Sequence, residues 1–314
     1  ETLPEVDEET PSYVEFITGP GGVIDTWLRR GAAGFRLDVA DELPDEFIEK
    51  VRAAVKRVSP EKFLLGEVWE DATTKFGFNK RRTYLLGKGL DSVMNYPFKN
   101  AVLDFVKGKP AEQAMTEILT ICEHYPAPAM DTALNFLSTH DTERALTVIA
   151  DEPANGRGRA WQSGRCVTGD AYEEGLLRLR MAYAIIYTLP GVPCLYYGDE
   201  IAMQGYRDPF NRAFFRWDAH EQRLRPVLAQ LAQLRHTCEA FRTGQLRVLR
   251  AEDGILHYQR VGKVETAEII VNRTEHIIVE TLASGKSTEV NPMGFTIVVE
   301  EVGHNPNHSY YDYV

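Results

Sequence analysis

Apolar and polar positions change rhythm several times along the chain, and each change predicts an element. An acidic, Pro-containing opening over residues 1–12 reads as loop. Val14, Ile17, Val23, Ile24, Trp27 and Leu28 then predict a helix over 13–30, interrupted at Gly19-Pro20-Gly21-Gly22. Phe35, Leu37 and Val39 alternate with Arg36, Asp38 and Ala40, which is the period of a strand over 34–40. Phe47, Ile48, Val51, Ala54, Val55 and Val58 return to helical spacing over 44–58. Lys62–Trp69 is a second strand-like run, with a carboxylate near its end. Ser92–Tyr96 is a third, followed by helical patterns over 98–107 and 111–124. Leu134–Ser138 runs into Thr139-His140-Asp141. After a long apolar helix over 172–188, Cys194–Tyr197 runs into Gly198-Asp199-Glu200.

Strands near 36, 65, 94, 136 and 195, each separated from the next by helix, imply parallel βα units and an α/β fold. Polar residues follow four of the five. That is the layout of a (β/α)8 TIM barrel, in which the loops after the strands build the site. From about residue 242 the texture changes. Short runs at Leu246–Leu249, Ile255–Gln259, Ala267–Val271, Ile277–Glu280, Ser287–Val290 and Thr296–Glu300 are parted by Gly, Asn and Asp. They predict a small antiparallel β-sandwich domain. The expected division is therefore a partial barrel over 1–241 and a β domain over 242–314, with 303–314 extended.

Composition narrows the partners more than the chemistry. The chain has 314 residues, 44% of them hydrophobic, enough for a sizeable core. With 35 basic against 46 acidic residues the net charge is −11, which argues against nucleic acid or an anionic membrane surface as partner. No apolar run approaches the roughly 20 residues of a membrane span. No leader is visible, which leaves the location open, with the cytoplasm only slightly favoured. Cys122, Cys166, Cys194 and Cys238 lack metal or redox spacing and read as scattered buried thiols. The sequons at Asn272 and Asn307 are short enough to arise by chance.

The candidate chemistry lies at strand ends. Arg36 and Asp38, two apart in a strand, share a face. Taken alone, such a pair is as often structural as functional. Glu67 and Asp141 end two other strands, and strands of one barrel would bring such ends to a common mouth. Two carboxylates suit glycosidic-bond chemistry: one attacks the anomeric carbon and the other protonates the leaving oxygen. The attacking group must stay ionised, and a neighbouring guanidinium favours that form, which is what Arg36 offers Asp38. The acid must hold a proton, and the apolar neighbours Leu64, Leu65, Val68 and Trp69 predict a raised pKa for Glu67 by desolvation. His140 and Asp141 supply a donor and a third anion.

These segments resemble a known family. Gly34-Phe-Arg-Leu-Asp-Val-Ala, Gly66-Glu-Val-Trp and Phe136-Leu-Ser-Thr-His-Asp-Thr are similar, in order, to the second, third and fourth conserved regions of the α-amylase family of glycoside hydrolases. Tyr196-Tyr-Gly-Asp-Glu resembles that family's last barrel strand, and Asp208-Pro-Phe-Asn-Arg-Ala-Phe-Phe-Arg-Trp the loop after it. The resemblance implies a retaining mechanism, with Asp38 as nucleophile, Glu67 as general acid/base and Asp141 as transition-state stabiliser. It implies Arg36 as the partner of Asp38 and His140 as a sugar-hydroxyl binder. Asp41 and Glu42 stand where many α-amylases carry Lys-His. With Val39-Ala40 and Asp91-Ser-Val-Met-Asn-Tyr-Pro-Phe, they point to the neopullulanase, cyclomaltodextrinase and maltogenic-amylase branch. Trp69, Tyr96, Phe98 and Trp217 are stacking candidates, each with core packing as the competing role. Tyr196 and Tyr197 read as barrel wall. Asp199 and Glu200 read as ties for the last βα loop. Arg212 divides evenly between an Asp208 salt bridge and substrate contact.

The family's first conserved region, an Asp-x-x-x-Asn-His type run, does not occur. The strands present correspond to the fourth to eighth of a barrel, so the expectation is the C-terminal part of a longer protein. A missing N-terminal part or a second copy in a homodimer would then cover the open edge. Calcium is a candidate for the complete protein, and no metal is assigned to these residues. The substrate implied is an α-glucan oligosaccharide or polysaccharide. Two alternatives compete: an α-glucan transglycosylase using the same carboxylates, and a non-catalytic carbohydrate-binding protein on the same scaffold.

Overall fold

The computed structural model describes residues 6–302 and the backbone of 309–313. In chain order, the first elements are α1 (Pro11–Thr18), α2 (Val23–Arg29), β1 (Gly34–Leu37), α3 (Asp45–Val58), β2 (Phe63–Gly66) and the small hairpin β3 (Phe76–Gly77) and β4 (Lys80–Arg81). Next are β5 (Ser92–Val93), α4 (Tyr96–Lys107), α5 (Ala111–His124), α6 (Ala127–Asp131) and β6 (Leu134–Asn135). Then follow α7 (Ala145–Ala150), α8 (Arg159–Ser163), α9 (Gly169–Thr188), β7 (Val192–Pro193), α10 (Leu224–Thr237) and α11 (Ala240–Thr243). The C-terminal strands are β8 (Gln245–Glu252), β9 (Ile255–Val261), β10 (Glu265–Asn272), β11 (Ile278–Thr281), β12 (Ser287–Val290), β13 (Gly294–Glu301) and β14 (Ser309–Tyr313). The chain divides into two compact units, Glu1–Pro97 with Ile121–Leu134 and Phe98–Thr120 with Asn135–Val314.

In the first unit, β1 pairs in parallel with β2 and β2 with β5. The register is Gly34↔Phe63 through Leu37↔Gly66, then Leu65↔Ser92 and Gly66↔Val93. A parallel bridge joins Met94 to Leu134. Gly34 has a physical reason to be glycine: a Cβ there would lie 2.0 Å from the Phe63 carbonyl oxygen. The apolar stripe on α3 is buried as its spacing predicts, through Phe47, Ile48, Val51, Ala54 and Val55. Asp91, just before β5, holds this layer together. It takes Arg52 at 2.7 Å and Lys56 at 2.8 Å from α3, and accepts the Leu64 N–H of β2 at 2.8 Å.

In the second unit, the Cys194 N–H just beyond β7 donates to the Asn135 carbonyl at 2.7 Å, and α9 is buried along its second half, Met181–Thr188. The C-terminal strands form an antiparallel sheet in the order β14-β13-β10-β9-β8, beside the separate pair β11-β12. Ile255, Ile270, Leu282, Val290 and Val298 make a shared apolar cluster, with partly buried Ile278 packed against it. Arg260 of β9 is fully buried and donates to the Thr188 carbonyl at 2.7 Å and the Gly244 carbonyl at 2.7 Å, tying the sheet to the end of α9.

Several expectations need correction. The barrel-type strands are shorter than the apolar runs suggest: β5 stops at Val93 because Tyr96 already starts α4, β6 stops at Asn135, and β7 lies two residues earlier than Cys194. Of the four cysteines only Cys238 is buried, and Cys166 is exposed. Asn272 is fully buried and its amide donates to the His276, Val290 and Asn291 carbonyls, so that sequon is structural. Asn307 lies outside the described residues. No helix among the described residues is long and apolar enough to cross a membrane.

Candidate active site

The first unit carries a carboxylate pair held by one guanidinium. Beyond the ends of β1 and β2 the backbone ladder continues: the Glu67 N–H donates to the Leu37 carbonyl at 3.0 Å, and the Ala40 N–H to the Glu67 carbonyl at 3.1 Å. Asp38 and Glu67 therefore emerge side by side. Arg36 Nη1 donates to Asp38 Oδ1, and Arg36 Nη2 lies 2.7 Å from Glu67 Oε2. The second contact is an ion pair without hydrogen-bond alignment. Asp38 is open to solvent, with its side chain 74% exposed, whereas that of Glu67 is 4% exposed.

Between them Val39 adopts φ 40°, in the left-handed region that a β-branched residue rarely enters. The turn aims the Val39 N–H at Glu67 Oε2, 3.0 Å away. The other carboxylate oxygen accepts the Trp69 indole N–H at 2.9 Å and the Tyr96 hydroxyl at 3.4 Å. Trp69 is stacked on Tyr96, with ring centroids 4.5 Å apart and planes 13° apart. Its outer surface is 45% exposed.

The expectation of a raised pKa for Glu67 is overturned in this structure. Burial is the largest single effect and does push the carboxyl up. The Val39 N–H, the Trp69 N–H, Arg36 and the Tyr96 hydroxyl together outweigh it and hold Glu67 below the usual glutamate value. Apolar neighbours in sequence report burial; they do not report donors brought in from other strands. Trp69→Phe keeps the ring on Tyr96 and removes one donor. It is expected to move the Glu67 midpoint upward, which carboxyl 13C NMR of the labelled protein would show; an unchanged midpoint would contradict this balance.

The second unit carries the remaining site candidates. His140 Nε2 lies 3.0 Å from Asp141 Oδ2. Arg212 Nε donates to the His140 carbonyl at 2.9 Å and pairs with Asp208 at 3.1 Å, while its Nη2 reaches Asp141 Oδ1 at 3.5 Å. Of the two readings for Arg212, the Asp208 salt bridge is present, beside a tie to the His140-Asp141 turn. Asn211 was missed. It is fully buried, and its amide nitrogen lies 2.7 Å from the His140 carbonyl, 2.8 Å from that of Thr142 and 3.4 Å from that of Thr139. With two amide hydrogens, the first two bonds dominate. Nothing in the sequence marks such a hub, because its partners are backbone carbonyls some seventy residues away. Phe98 is fully buried core; Trp217 is 90% exposed. Asp199 and Glu200 do tie down their loop, through Arg144 and Tyr183 and through the Gly198 N–H.

Among the described residues no group of three or more His, Cys, Asp or Glu side chains is placed to hold a metal ion.

Parallel strands alternating with helices, two of the strands carrying a carboxylate just beyond their ends, define a TIM-barrel type of catalytic scaffold. The family model described as "Alpha amylase, catalytic domain" matches residues 1–244, and the chain belongs to that family. It is 31% identical to a cyclomaltodextrinase of Geobacillus thermopakistaniensis over 279 residues, 87% of this chain and 42% of that protein. It is 30% identical to neopullulanase 2 of Thermoactinomyces vulgaris over 295 residues, 91% of this chain and 44% of that protein. A debranching enzyme of Nostoc punctiforme superposes with a TM-score of 0.73 at 28% identity, covering 88% of this chain and 54% of that one. The chain spans less than half the length of these two curated relatives.

Proposed function

We propose that the complete protein is a retaining glycoside hydrolase. Its bonds would be the α-1,4, and in some substrates α-1,6, glucosidic links of maltooligosaccharides, cyclodextrin, pullulan or starch. The observation that carries this reading is the single guanidinium of Arg36 contacting both Asp38 and Glu67. It keeps two carboxyl groups close enough for a double displacement, in which about 5–5.5 Å separates nucleophile and acid/base. The exposed Asp38 carboxylate attacks the anomeric carbon as the glycosidic C–O bond breaks, and Glu67 gives its proton to the departing oxygen. Glu67 then takes a proton from water, whose oxygen displaces Asp38 from the sugar. Substrate seated over Asp38 and Trp69 removes the remaining water and adds to the desolvation that the donors around Glu67 outweigh in its absence, which shifts the balance toward the protonated form the first step needs. Asp141 is assigned the stabilisation of positive charge developing on the ring. His140 and Arg212 are assigned sugar-hydroxyl contacts, and Trp69 a stacking surface.

The domain division of this reading is a catalytic part over 1–241, comprising strands four to eight of an eight-stranded barrel, and a β-sandwich over 242–314. An N-terminal part or a second copy would complete the barrel edge. Cyclodextrin and pullulan, after the names of the relatives, are the substrates of first choice.

The test is an assay of the complete protein on cyclodextrin, pullulan, starch and maltoheptaose. Release of α-anomeric glucose or maltose units supports hydrolysis with retention. Oligomers longer than the maltoheptaose supplied would favour the transglycosylase alternative, and no turnover of any α-glucan would refute both.

A further inference from the structure

The segment between Trp69 and β5 has no role in the chemistry above, yet it is bolted onto the loop that carries Asp38. Its hairpin β3–β4 turns through Phe78 and Asn79, at φ 52° and 58°. It then delivers Arg82, whose side chain is 0% exposed. This guanidinium does not serve the apolar core. Nη1 donates to the Asp41 carbonyl at 2.7 Å. Nη2 donates to the Leu43 carbonyl at 2.5 Å and approaches that of Ala40 at 3.5 Å, and Nε donates to Asp45 Oδ1 at 2.8 Å. Its faces lie against Tyr84 and Phe78, 4.4 and 5.1 Å from the ring centroids. Lys75 on Asp41 at 2.9 Å and the Tyr84 hydroxyl on the same carboxylate at 3.3 Å add to the clasp.

Every acceptor of Arg82 lies two to seven residues beyond Asp38. Between them stands Val39, in a backbone conformation that is costly for valine and persists only where its surroundings over-determine it. Arg82 grips the Ala40–Glu42 turn that begins immediately after Val39. We propose that Arg82 is a positioning residue: by clamping residues 40–45 it keeps Val39 left-handed, its N–H on Glu67 Oε2 and Asp38 against Arg36. The proposal rests on the reading of Asp38 and Glu67 as the catalytic pair. Glu67 is faced by Arg36 from β1, by the Val39 N–H from the turn, and by Trp69 and Tyr96 beyond the ends of β2 and β5. Asp38 shares Arg36 with it. Of the contacts to the Glu67 carboxylate, the Val39 N–H is the one that depends on the clamped turn.

The decisive variant is Arg82→Met, which retains length and apolar contact with Tyr84 and Phe78 but has no donors. Carboxyl 13C NMR of the Glu-labelled chain, with the Glu67 resonance assigned by its loss in Glu67→Gln, is expected to show the Glu67 midpoint displaced upward. Arg82→Lys should recover part of the displacement. In the complete protein, kcat should fall about 10-fold or more while KM changes less than about threefold, because misplacement near the reacting atoms costs the transition state rather than ground-state binding. The alkaline limb of the kcat/KM profile should move up with the NMR midpoint. If Arg82→Met does not fold, Asp45→Asn loosens the same clamp from its other side and should move the midpoint in the same direction by less. A folded variant with the wild-type Glu67 midpoint and wild-type kcat overturns the proposal. Failure of the underlying reading looks different: Glu67→Gln would then retain activity, whatever Arg82→Met does to the NMR midpoint.

Discussion

Replacing Asp38 by Asn in the complete protein is expected to lower turnover of α-glucans by about four orders of magnitude while leaving substrate binding within about tenfold, as for removal of other covalent nucleophiles. The side chain is exposed and hydrogen-bonded to Arg36, so the substitution creates no cavity and little strain. What is lost is an anion able to form the glycosyl ester. Arg36 keeps Glu67 as partner, so the acid/base remains in place. That asymmetry supports a sharper experiment. In Asp38→Gly, azide can enter the vacated volume and attack the anomeric carbon from the nucleophile's side. Glu67 still protonates the leaving oxygen, and the product is a glycosyl azide of inverted configuration. Rescue by azide with that stereochemistry would assign the nucleophile. Turnover of Asp38→Asn within tenfold of the parent, checked by active-site mixing controls against contamination, would remove Asp38 from the mechanism and the retaining hydrolase reading with it.

Periodicity reported the elements that bury one face and missed those held by polar contacts. The α3 stripe and the strands β9, β10 and β13 place apolar residues in a core, while β1 is only half-buried; each of these elements, with the other C-terminal strands, is found within a few residues of its expected bounds. The hairpin β3–β4 is polar or exposed along its length, and what holds it is Arg82 with the lysines that pair with residues 41–46. No repeat in the sequence announces that. The helices α6, α7 and α8 are five or six residues long, too short for a moment to develop.

The site divides along the same line. The contact of Arg36 with Asp38 was legible because two positions two apart along a strand share a face, and that with Glu67 because neighbouring parallel strands bring their ends together. The electrostatic state of Glu67 was not, because it depends on a backbone N–H at an unusual φ and on a tyrosine nearly thirty residues away. Asn211 and Arg82 share this cause. Each acts on main-chain carbonyls, which every residue possesses and no sequence pattern distinguishes.

The largest stability effect is expected at Arg144. Its side chain is fully buried in the second unit, donates to the Tyr197 carbonyl at 2.7 Å and to Asp199 Oδ1 at 3.1 Å, and lies 4.8 Å from the ring centroids of Tyr196 and Tyr197. Asp199 is itself buried, with the Tyr183 hydroxyl at 2.6 Å. Burial raises its pKa to about 6, against the lowering by Ser138, Tyr183 and Arg144. Arg144→Met removes the cation and strands the carboxylate, which costs about 3–5 kcal/mol for a buried pair broken on one side. The pH dependence distinguishes this from simple loss of packing. A carboxyl whose folded pKa lies above its unfolded value stabilises below the unfolded value, and that contribution is lost as pH rises through the folded pKa. In the parent this loss runs to about pH 6; without Arg144 the folded pKa moves higher still, so the variant goes on losing stability above pH 6 where the parent has stopped. Denaturant titrations should therefore show a deficit that is smallest near pH 5 and widens toward pH 8. The double variant Arg144→Met/Asp199→Asn carries no buried charge at this position, so it should recover part of the loss and show a flat deficit. A single-variant deficit that is pH-independent, or below about 1 kcal/mol at pH 7.5, would mean that the pair is not electrostatically coupled in the folded chain.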